Sequence, residues 1–195
     1  MYNGSTYSLF YSYYRELCYW GINGKLLASN SNVVLRNQNY HFLQGVGYGK
    51  RGEILDAHIF KKDMLFTVEG YAFSNINDSE SLALNSLLDS ILGQYALNLY
   101  TGQHKQTGNV NLLPMPDYAI RQSDIERIVN AIIDIKRKWF SLDETNLEYH
   151  GLIAQMHIDT TIDAALNKMQ EQLTADYARY EELVKENDDL WMDLA

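Results

Sequence analysis

The chain has 195 residues, of which 46% are hydrophobic and 21% are charged, and its formal net charge is −9. This composition is typical of a globular protein and excludes an intrinsically disordered chain. A single cysteine, Cys18, excludes a disulfide framework within the chain. No apolar run reaches the length of a membrane span and no signal peptide precedes the first polar residues, so we expect a soluble, cytoplasmic protein without a membrane partner.

The negative charge is concentrated in the C-terminal part of the chain. Residues 1–122 carry nine Lys/Arg and nine Asp/Glu, whereas residues 123–195 carry seven and sixteen. Within the neutral part, segment 36–62 is locally basic, and its charged residues are Arg36, Lys50, Arg51, Lys61 and Lys62 against Glu53 and Asp56. A local basic segment is compatible with nucleic-acid binding, because phosphate contacts depend on the local field. A solvated surface of mixed charge explains the same pattern.

Short strands are predicted in the first 75 residues. A tyrosine-rich start ends in the turn signal Asn23-Gly24. Runs rich in β-branched and aromatic residues follow, with glycines between them, and these runs are KLLAS, NVVLR, YHFLQGVGYG, EILDAHIF and MLFTVEGYAF. Such half-alternating runs are typical of the strands of a small sheet.

Two helices are predicted next. Between Ser79 and Tyr100, apolar residues recur at helical spacing, which predicts one helix. A second helix is expected to begin at Ser123, because Ser123 and Glu126 have the spacing of a capping box. The connection between them contains both prolines of the chain. We expect a short edge strand at 111–113 that the prolines terminate.

The C-terminal part contains one long helical pattern. Its mostly apolar residues are spaced alternately three and four apart, and they are Leu166, Met169, Leu173, Asp176, Tyr180, Leu183, Asn187 and Leu190. This is a heptad seam on a helix of about 30 residues. Two interpretations have equal weight: the helix packs along its own domain, or it docks as a stalk on another helix of this chain or of a partner protein.

Sequence motifs that carry catalysis are absent. The sequence has no GxGxxG or Walker loop, no HExxH and no GxSxG, and one cysteine cannot form a zinc cluster. Acidic pairs such as Asp143-Glu144 lie in charged runs that are typical of a solvated face. The sequence therefore predicts no cofactor and no metal in this chain, and leaves open whether it is an enzyme.

A series of weaker motifs occurs in a fixed order. Arg-Asn-x-x-Tyr-x-Phe at 36–42 precedes Gly-x-x-Tyr-x-x-Arg at 45–51 and Phe-x-x-x-Gly at 66–70. A leucine-rich helix, the segment TGNVNLLPMPDY and the late helix YEELVKENDDLWMDLA follow. In this order the motifs resemble the target recognition domain of large adenine-specific DNA methyltransferases. These are the type IIG restriction-modification enzymes and the phage-defence methyltransferases of BREX systems.

The resemblance implies an α+β fold, with a small mixed sheet-and-helix DNA target recognition domain at 1–120 and a helical arm with the long helix at 121–195. It also implies double-stranded DNA and the catalytic methyltransferase domain of a parent protein as partners. S-adenosylmethionine would be the cofactor of that parent enzyme. The family's Asn/Asp-Pro-Pro-Tyr motif and glycine-rich cofactor loop are absent from this sequence. We therefore expect a recognition module that is not catalytic alone.

Candidate DNA contacts are basic, polar or aromatic residues in or near glycine-flanked loops, and they are Arg36, Asn37, Tyr48, Lys50, Arg51, Lys61, Lys62, His104 and Lys105. Arg51 is the best candidate for a bidentate guanine contact, because Gly49 and Gly52 allow close backbone approach. Tyr48 either stacks on a base or belongs to the core. Two other classes stay open: a protein-interaction module that acts through the acidic arm, and a small enzyme with an unrecognised site.

Overall fold

The computed structural model describes residues 1–4, 8–13, 16–151 and 161–195. These residues form an α+β architecture, as the sequence predicts. The sheet consists of β1 (Gly45–Gly49), β2 (His58–Phe60) and β3 (Gly70–Ser74). The helices are α1 (Lys25–Ala28), α2 (Asp78–Asp89), α3 (Ile91–Tyr100), α4 (Thr107–Val110), α5 (Gln122–Phe140) and α6 (Ile162–Leu194), with 3-10 turns at Gln38–Tyr40 and Ala119–Arg121.

The sheet is antiparallel, with the order β2-β1-β3. Strand β1 lies in the middle and is buried along its whole length. Its glycines allow close packing: a Cβ on Gly45 would lie 1.7 Å from the carbonyl oxygen of Phe73, and one on Gly47 would lie 2.8 Å from Nε2 of His58. The neighbouring strands β2 and β3 therefore occupy the space that side chains at these two positions would need.

Three of the five predicted strand regions contain a strand, and two do not. The KLLAS run forms α1 instead, entered through Gly24 at a φ of 70°. The NVVLR run at 32–36 forms neither a helix nor a strand. Both runs are short and largely exposed, so no cross-strand packing stabilises their β-branched residues in a sheet. The edge strand expected at 111–113 is also wrong, because this segment is a turn that follows α4.

The single helix predicted between Ser79 and Tyr100 is two helices. Ser90 has an extended conformation, with a ψ of 156°, and its hydroxyl accepts the backbone N–H of Gly93 at 3.1 Å to cap α3. A Cβ on Gly93 would lie only 2.0 Å from the carbonyl oxygen of Leu87. A serine cap and a close backbone approach thus break the helix, although apolar residues continue at helical spacing on both sides of the junction.

The capping box expected at Ser123 and Glu126 is wrong. Helix α5 begins at Gln122 without a side-chain cap. The Glu126 carboxylate instead accepts the Ser79 hydroxyl at 2.6 Å, which ties α5 to the first turn of α2. A complete capping box occurs at α2, where Asn77 accepts the N–H of Glu80 at 2.8 Å.

The principal core joins segments from both sides of residue 120. Helices α2, α5 and α6 contribute apolar side chains to it together with the N-terminal segment around Phe10; among the fully buried ones are Ala83, Ile125, Ile132, Leu183 and Leu190. A second cluster lies between the sheet and α3, around Val46, Tyr48 and Leu97. The sheet is therefore held against the helices through α2 and α3.

The two halves of the α6 seam differ in burial. Leu183, Asn187 and Leu190 are buried against α5 and α2, which confirms packing along the same chain for this half. Leu166 is 44% exposed, and Met169 is only half-buried. The first half of α6 therefore leaves its apolar edge partly open.

Among the described residues, no helix is both long and apolar enough to cross a membrane.

Candidate nucleic-acid interface

Four of the candidate DNA contacts lie together at the end of β1, and they are Lys50, Arg51, His104 and Lys105. Arg51 and His104 form an isolated antiparallel β-bridge. The N–H of Gly52 donates to the carbonyl of Gln103 at 2.9 Å, and the N–H of Lys105 donates to the carbonyl of Lys50 at 2.8 Å. The bridge thereby joins the segment after β1 to the segment after α3, so residues far apart in sequence are neighbours.

These two segments enclose a surface groove, which we call the β1-end groove. Its volume is about 580 Å³, and it is lined by Arg51, Gly52, Glu53, Ile54, Gln103 and His104. Gly52 has a φ of 138°, a conformation that side-chain-bearing residues avoid. This glycine lets the backbone turn closely beside Arg51, whose side chain is 66% exposed.

The loop that forms one wall of the groove is fixed at several points. The buried carboxylate of Asp56 accepts the N–H of Gly49 at 3.1 Å. The side-chain amide of Gln94 on α3 accepts the N–H of Leu55 at 3.0 Å and donates to the carbonyl of the same residue at 2.6 Å. A loop anchored to the sheet and to α3 in this way positions Arg51 on a rigid support.

Glu69 neutralises part of the positive charge at the groove. Its carboxylate lies 3.0 Å from Nε of Arg51 and 3.7 Å from Nζ of Lys50. All three side chains are at least partly exposed, and such pairs contribute only about 0–1 kcal/mol each. A phosphate or a base edge can therefore compete for these two cations at low cost.

Lys105 is not an exposed contact, which corrects the expectation from the sequence. The residue is fully buried, and its ammonium group donates to the side-chain carbonyl of Asn98 on α3. Burial lowers the pKa of Lys105, and the charge of Glu53 opposes this effect. In this structure Lys105 fastens the bridged segment to α3 and does not reach the surface.

Tyr48 also belongs to the core and not to the surface. Its ring is 0% exposed and packs against Tyr71 and Phe73, with centroid distances of 5.7 and 5.6 Å. The hydroxyl donates to Thr107 at 3.4 Å. Burial raises the pKa of Tyr48 to about 12. A residue in this position cannot stack on a nucleic-acid base, and the core alternative stated for it is the one observed.

Lys61 and Lys62 lie at the other end of the sheet. They follow β2, whose last residue, Phe60, is paired with the first residue of β1, Gly45. About seven strand positions thus separate them from Arg51, or roughly 24 Å along the sheet. Lys62 is exposed in a turn, and Lys61 makes a 3.3 Å ion pair with Glu148.

Arg36 and Asn37 are exposed in a separate loop. Asn37 has the left-handed conformation, with a φ of 53°, and begins a 3-10 turn without a side-chain cap. The loop continues to Phe42, whose N–H donates to the carbonyl of Met64 at 3.3 Å. The chain that carries Arg36 therefore enters the sheet near the Lys61 turn, away from the β1-end groove.

Sequence reasoning missed a second polar cluster, centred on Glu148. The hydroxyl of Tyr11 donates to Glu148 at 2.9 Å, and Nε of Arg137 lies 3.7 Å from the same carboxylate. With Lys61, these residues come from the N-terminal segment, from the turn after β2, from α5 and from the segment after α5. Nothing in their spacing signals the cluster, because only the tertiary fold brings these distant segments together.

Comparison with protein-family models gives no match, and a search of curated proteins gives no significant match. Among the described residues, no group of three or more His, Cys, Asp or Glu side chains is arranged to hold a metal ion. The resemblance to DNA methyltransferases thus rests on motif order alone. The β1-end groove supplies a separate physical reason to consider nucleic acid.

Proposed function

We propose that this chain is a DNA target-recognition module of an adenine-specific methyltransferase from a restriction-modification or phage-defence system. The observation that carries the proposal is the bridge between Arg51 and His104. This bridge puts an exposed guanidinium and an exposed imidazole next to each other in the lining of one groove. Side chains of these two types donate hydrogen bonds to base edges and phosphates.

Arg51 is the residue that we assign to base reading. Glu69 engages one edge of its guanidinium, with Nε at 3.0 Å and one Nη at 3.5 Å. Since a guanidinium has five N–H donors in a rigid fork, the edge formed by the two Nη atoms remains available. That edge matches O6 and N7 of guanine in the major groove. Glu69 is a positioning residue, because it orients the fork without occupying all of it.

Phosphate contacts are the weaker part of the interface in this chain. Lys50 and Arg51 stand beside Glu53 and Glu69, so the groove has little net charge. The C-terminal part of the chain is acidic and repels a duplex. We infer that the catalytic domain of the parent enzyme supplies most phosphate contacts and binds S-adenosylmethionine. The isolated chain then binds DNA weakly.

The test uses fluorescence anisotropy with a labelled duplex, followed by selection of bound duplexes from a random library. The wild-type chain should give weak, salt-sensitive binding and enrich a short motif that contains guanine. Arg51→Ala should abolish the preference at one base pair. Arg179→Ala is the matched control, because Arg179 is also half-exposed and paired with a glutamate, Glu182 at 3.0 Å on α6. Equal enrichment by all three proteins would contradict the proposal.

A second candidate function, protein–protein interaction, is favoured by the first half of α6. Ile162 and Tyr177 are 74% and 54% exposed, and Leu166 adds to the same open region. Apolar side chains on an acidic helix are typical of a surface that docks a helix with basic flanks. If the Leu166→Glu variant no longer binds a partner protein but binds DNA like the wild type, this alternative is supported.

A further inference from the structure

A cavity of about 350 Å³ lies at the end of the sheet opposite to the β1-end groove. We call it the α2–α5 cavity, because Ser81 and Leu82 of α2 and Asn130 and Ile133 of α5 line it. Its other lining residues are Phe10, Tyr11, Ser12, Ile59, Lys61, Asp78 and Arg137. The volume falls within the range of small-molecule sites, roughly 300–1,000 Å³.

The walls of this cavity combine apolar and polar groups. Phe10, Ile59, Leu82 and Ile133 provide an apolar interior. Ser81 is 2% exposed, and its hydroxyl has no hydrogen-bond partner in the part of the chain that the structure describes. A buried hydroxyl without a partner is costly, so a bound polar group would stabilise it if the wall adjusts. Mostly apolar walls with a few polar groups are characteristic of ligand sites.

Two cations, Lys61 and Arg137, line the cavity, and both are attracted to Glu148. The Glu148 carboxylate lies 3.3 Å from Nζ of Lys61 and 3.7 Å from Nε of Arg137, and it accepts the Tyr11 hydroxyl at 2.9 Å. Burial raises the pKa of Glu148, but the Tyr11 hydrogen bond and the two cations outweigh this effect and lower it. The hydroxyl of Tyr11 and the two cations thus stabilise the negative charge of this carboxylate.

Glu148 is held there by a short turn and not by a helix or strand. Its N–H donates to the side chain of Asn146 at 3.0 Å, and the N–H of Asn146 donates to the carbonyl of Asp143 at 2.9 Å. The ion pairs of Glu148 are about one-third to one-half exposed and are therefore weak. The other acid in the wall, Asp78, is already engaged by the Gln44 amide at 2.6 Å.

We propose that the α2–α5 cavity binds a small organic anion, with its apolar body inside and its carboxylate or phosphate between Lys61 and Arg137. The ligand's anionic group takes the position of Glu148, so the chain's carboxylate competes with the ligand. Two cations in the wall of a largely apolar cavity fit this chemistry, because charge-assisted hydrogen bonds fix the anionic end. The α2–α5 cavity shares no lining residue with the β1-end groove, so its test does not depend on DNA binding by Arg51.

The test compares small carboxylic acids and phosphate monoesters with their neutral amides and alcohols, using thermal shift and calorimetry on the full chain. The acids should raise the melting temperature and the matched neutral compounds should not. Glu148→Gln keeps an acceptor for Tyr11 and removes the competing charge, so the affinity should rise about threefold or more. Arg137→Gln should lower it about tenfold.

The control is Arg127→Gln on the same helix, because Arg127 is equally exposed and pairs with Glu186 away from the cavity. This variant should bind the acids like the wild type. A Leu82→Phe variant, which fills the cavity and keeps both cations, should lose binding while the protein stays folded. Binding of acids and neutral compounds alike, no binding at millimolar concentration, or unchanged affinity in Arg137→Gln would overturn the proposal.

Discussion

The carboxylate of Asp89 accepts the backbone N–H of Phe10 at 2.6 Å and thereby fastens the N-terminal segment to the end of α2. The same carboxylate accepts the N–H of Ala57 at 2.8 Å, just before β2. One buried side chain thus joins the N-terminal segment, the sheet and a helix. Burial raises the pKa of Asp89 well above its usual value, and the two backbone N–H groups and the charge of Lys136 oppose this shift.

Replacement of Asp89 by Ala should therefore destabilise the protein strongly. Two buried N–H groups lose their acceptor, and an unsatisfied buried donor costs about 1–3 kcal/mol. We expect a loss of about 3 kcal/mol in the free energy of unfolding, measured by urea denaturation. Asp189→Ala, at an exposed position of α6, should change it by less than about 0.5 kcal/mol. Similar losses in both variants would contradict this role.

Gly93→Ala tests the break between α2 and α3. The added methyl group would meet the carbonyl oxygen of Leu87 at 2.0 Å, so the two helices must separate. We expect a loss of about 1–3 kcal/mol, as in other overpacked sites. Gly108→Ala is the control, because nothing lies within 4 Å of its Cβ position. Equal stability of the two variants would mean that the helix junction is not tightly packed.

His58 should make the protein sensitive to acid. Burial lowers the pKa of His58 to about 4, from an ordinary value of 6.5. Because the unfolded chain binds the proton first as the pH falls, the free energy of unfolding should decrease between pH 6.5 and 4. Each unit of pKa difference between the folded and the unfolded state corresponds to about 1.4 kcal/mol in the free energy of unfolding. An NMR titration in which the His58 ring titrates near pH 6.5 would contradict this prediction.

Substitutions in the two halves of the α6 seam should lower the free energy of unfolding by different amounts. Leu183 is 0% exposed and lies in the principal core, so Leu183→Ala should cost about 2–5 kcal/mol. Leu166→Ala should cost less than about 0.5 kcal/mol, because that side chain is 44% exposed. The loss for Leu173→Asp should lie between these two values, since Leu173 is half-buried. Thermal or urea unfolding of the three variants checks this order.

The sequence predicts the long helix from the heptad spacing of its apolar residues, and its β-branched runs followed by helical patterns agree with the α+β fold. It is not sufficient for the break at Ser90, where the periodicity continues across a cap and only the approach of Gly93 to Leu87 reveals the junction. It also misplaces the cap of α5, since Glu126 bonds to Ser79 of another helix. Such contacts between distant segments leave no local pattern.

The same limit applies to the candidate site. The glycines around Arg51 indicate a close turn, and one of them, Gly52, has the positive φ of such a turn and lines the groove. Tyr48 and Lys105 were candidates by residue type, yet both side chains are buried. Burial depends on strand register and on the position of α3, which the sequence did not define. The role of Glu69 beside Arg51 depends on the pairing of β1 with β3.

The last prediction concerns Glu69 as the positioning partner of Arg51. Glu69→Gln removes the negative charge and weakens the contact at 3.0 Å that orients the guanidinium. DNA affinity measured on mixed-sequence duplexes should therefore rise, and the salt slope should steepen by about 0.9 if one more phosphate is engaged. Base preference in the selected library should weaken at the position that Arg51 reads, because the fork is no longer held. Glu182→Gln, which releases Arg179 on α6 in the same way, should alter neither quantity. If Glu69→Gln left both the affinity and the preference unchanged, Glu69 and Arg51 would be a surface ion pair without a part in recognition.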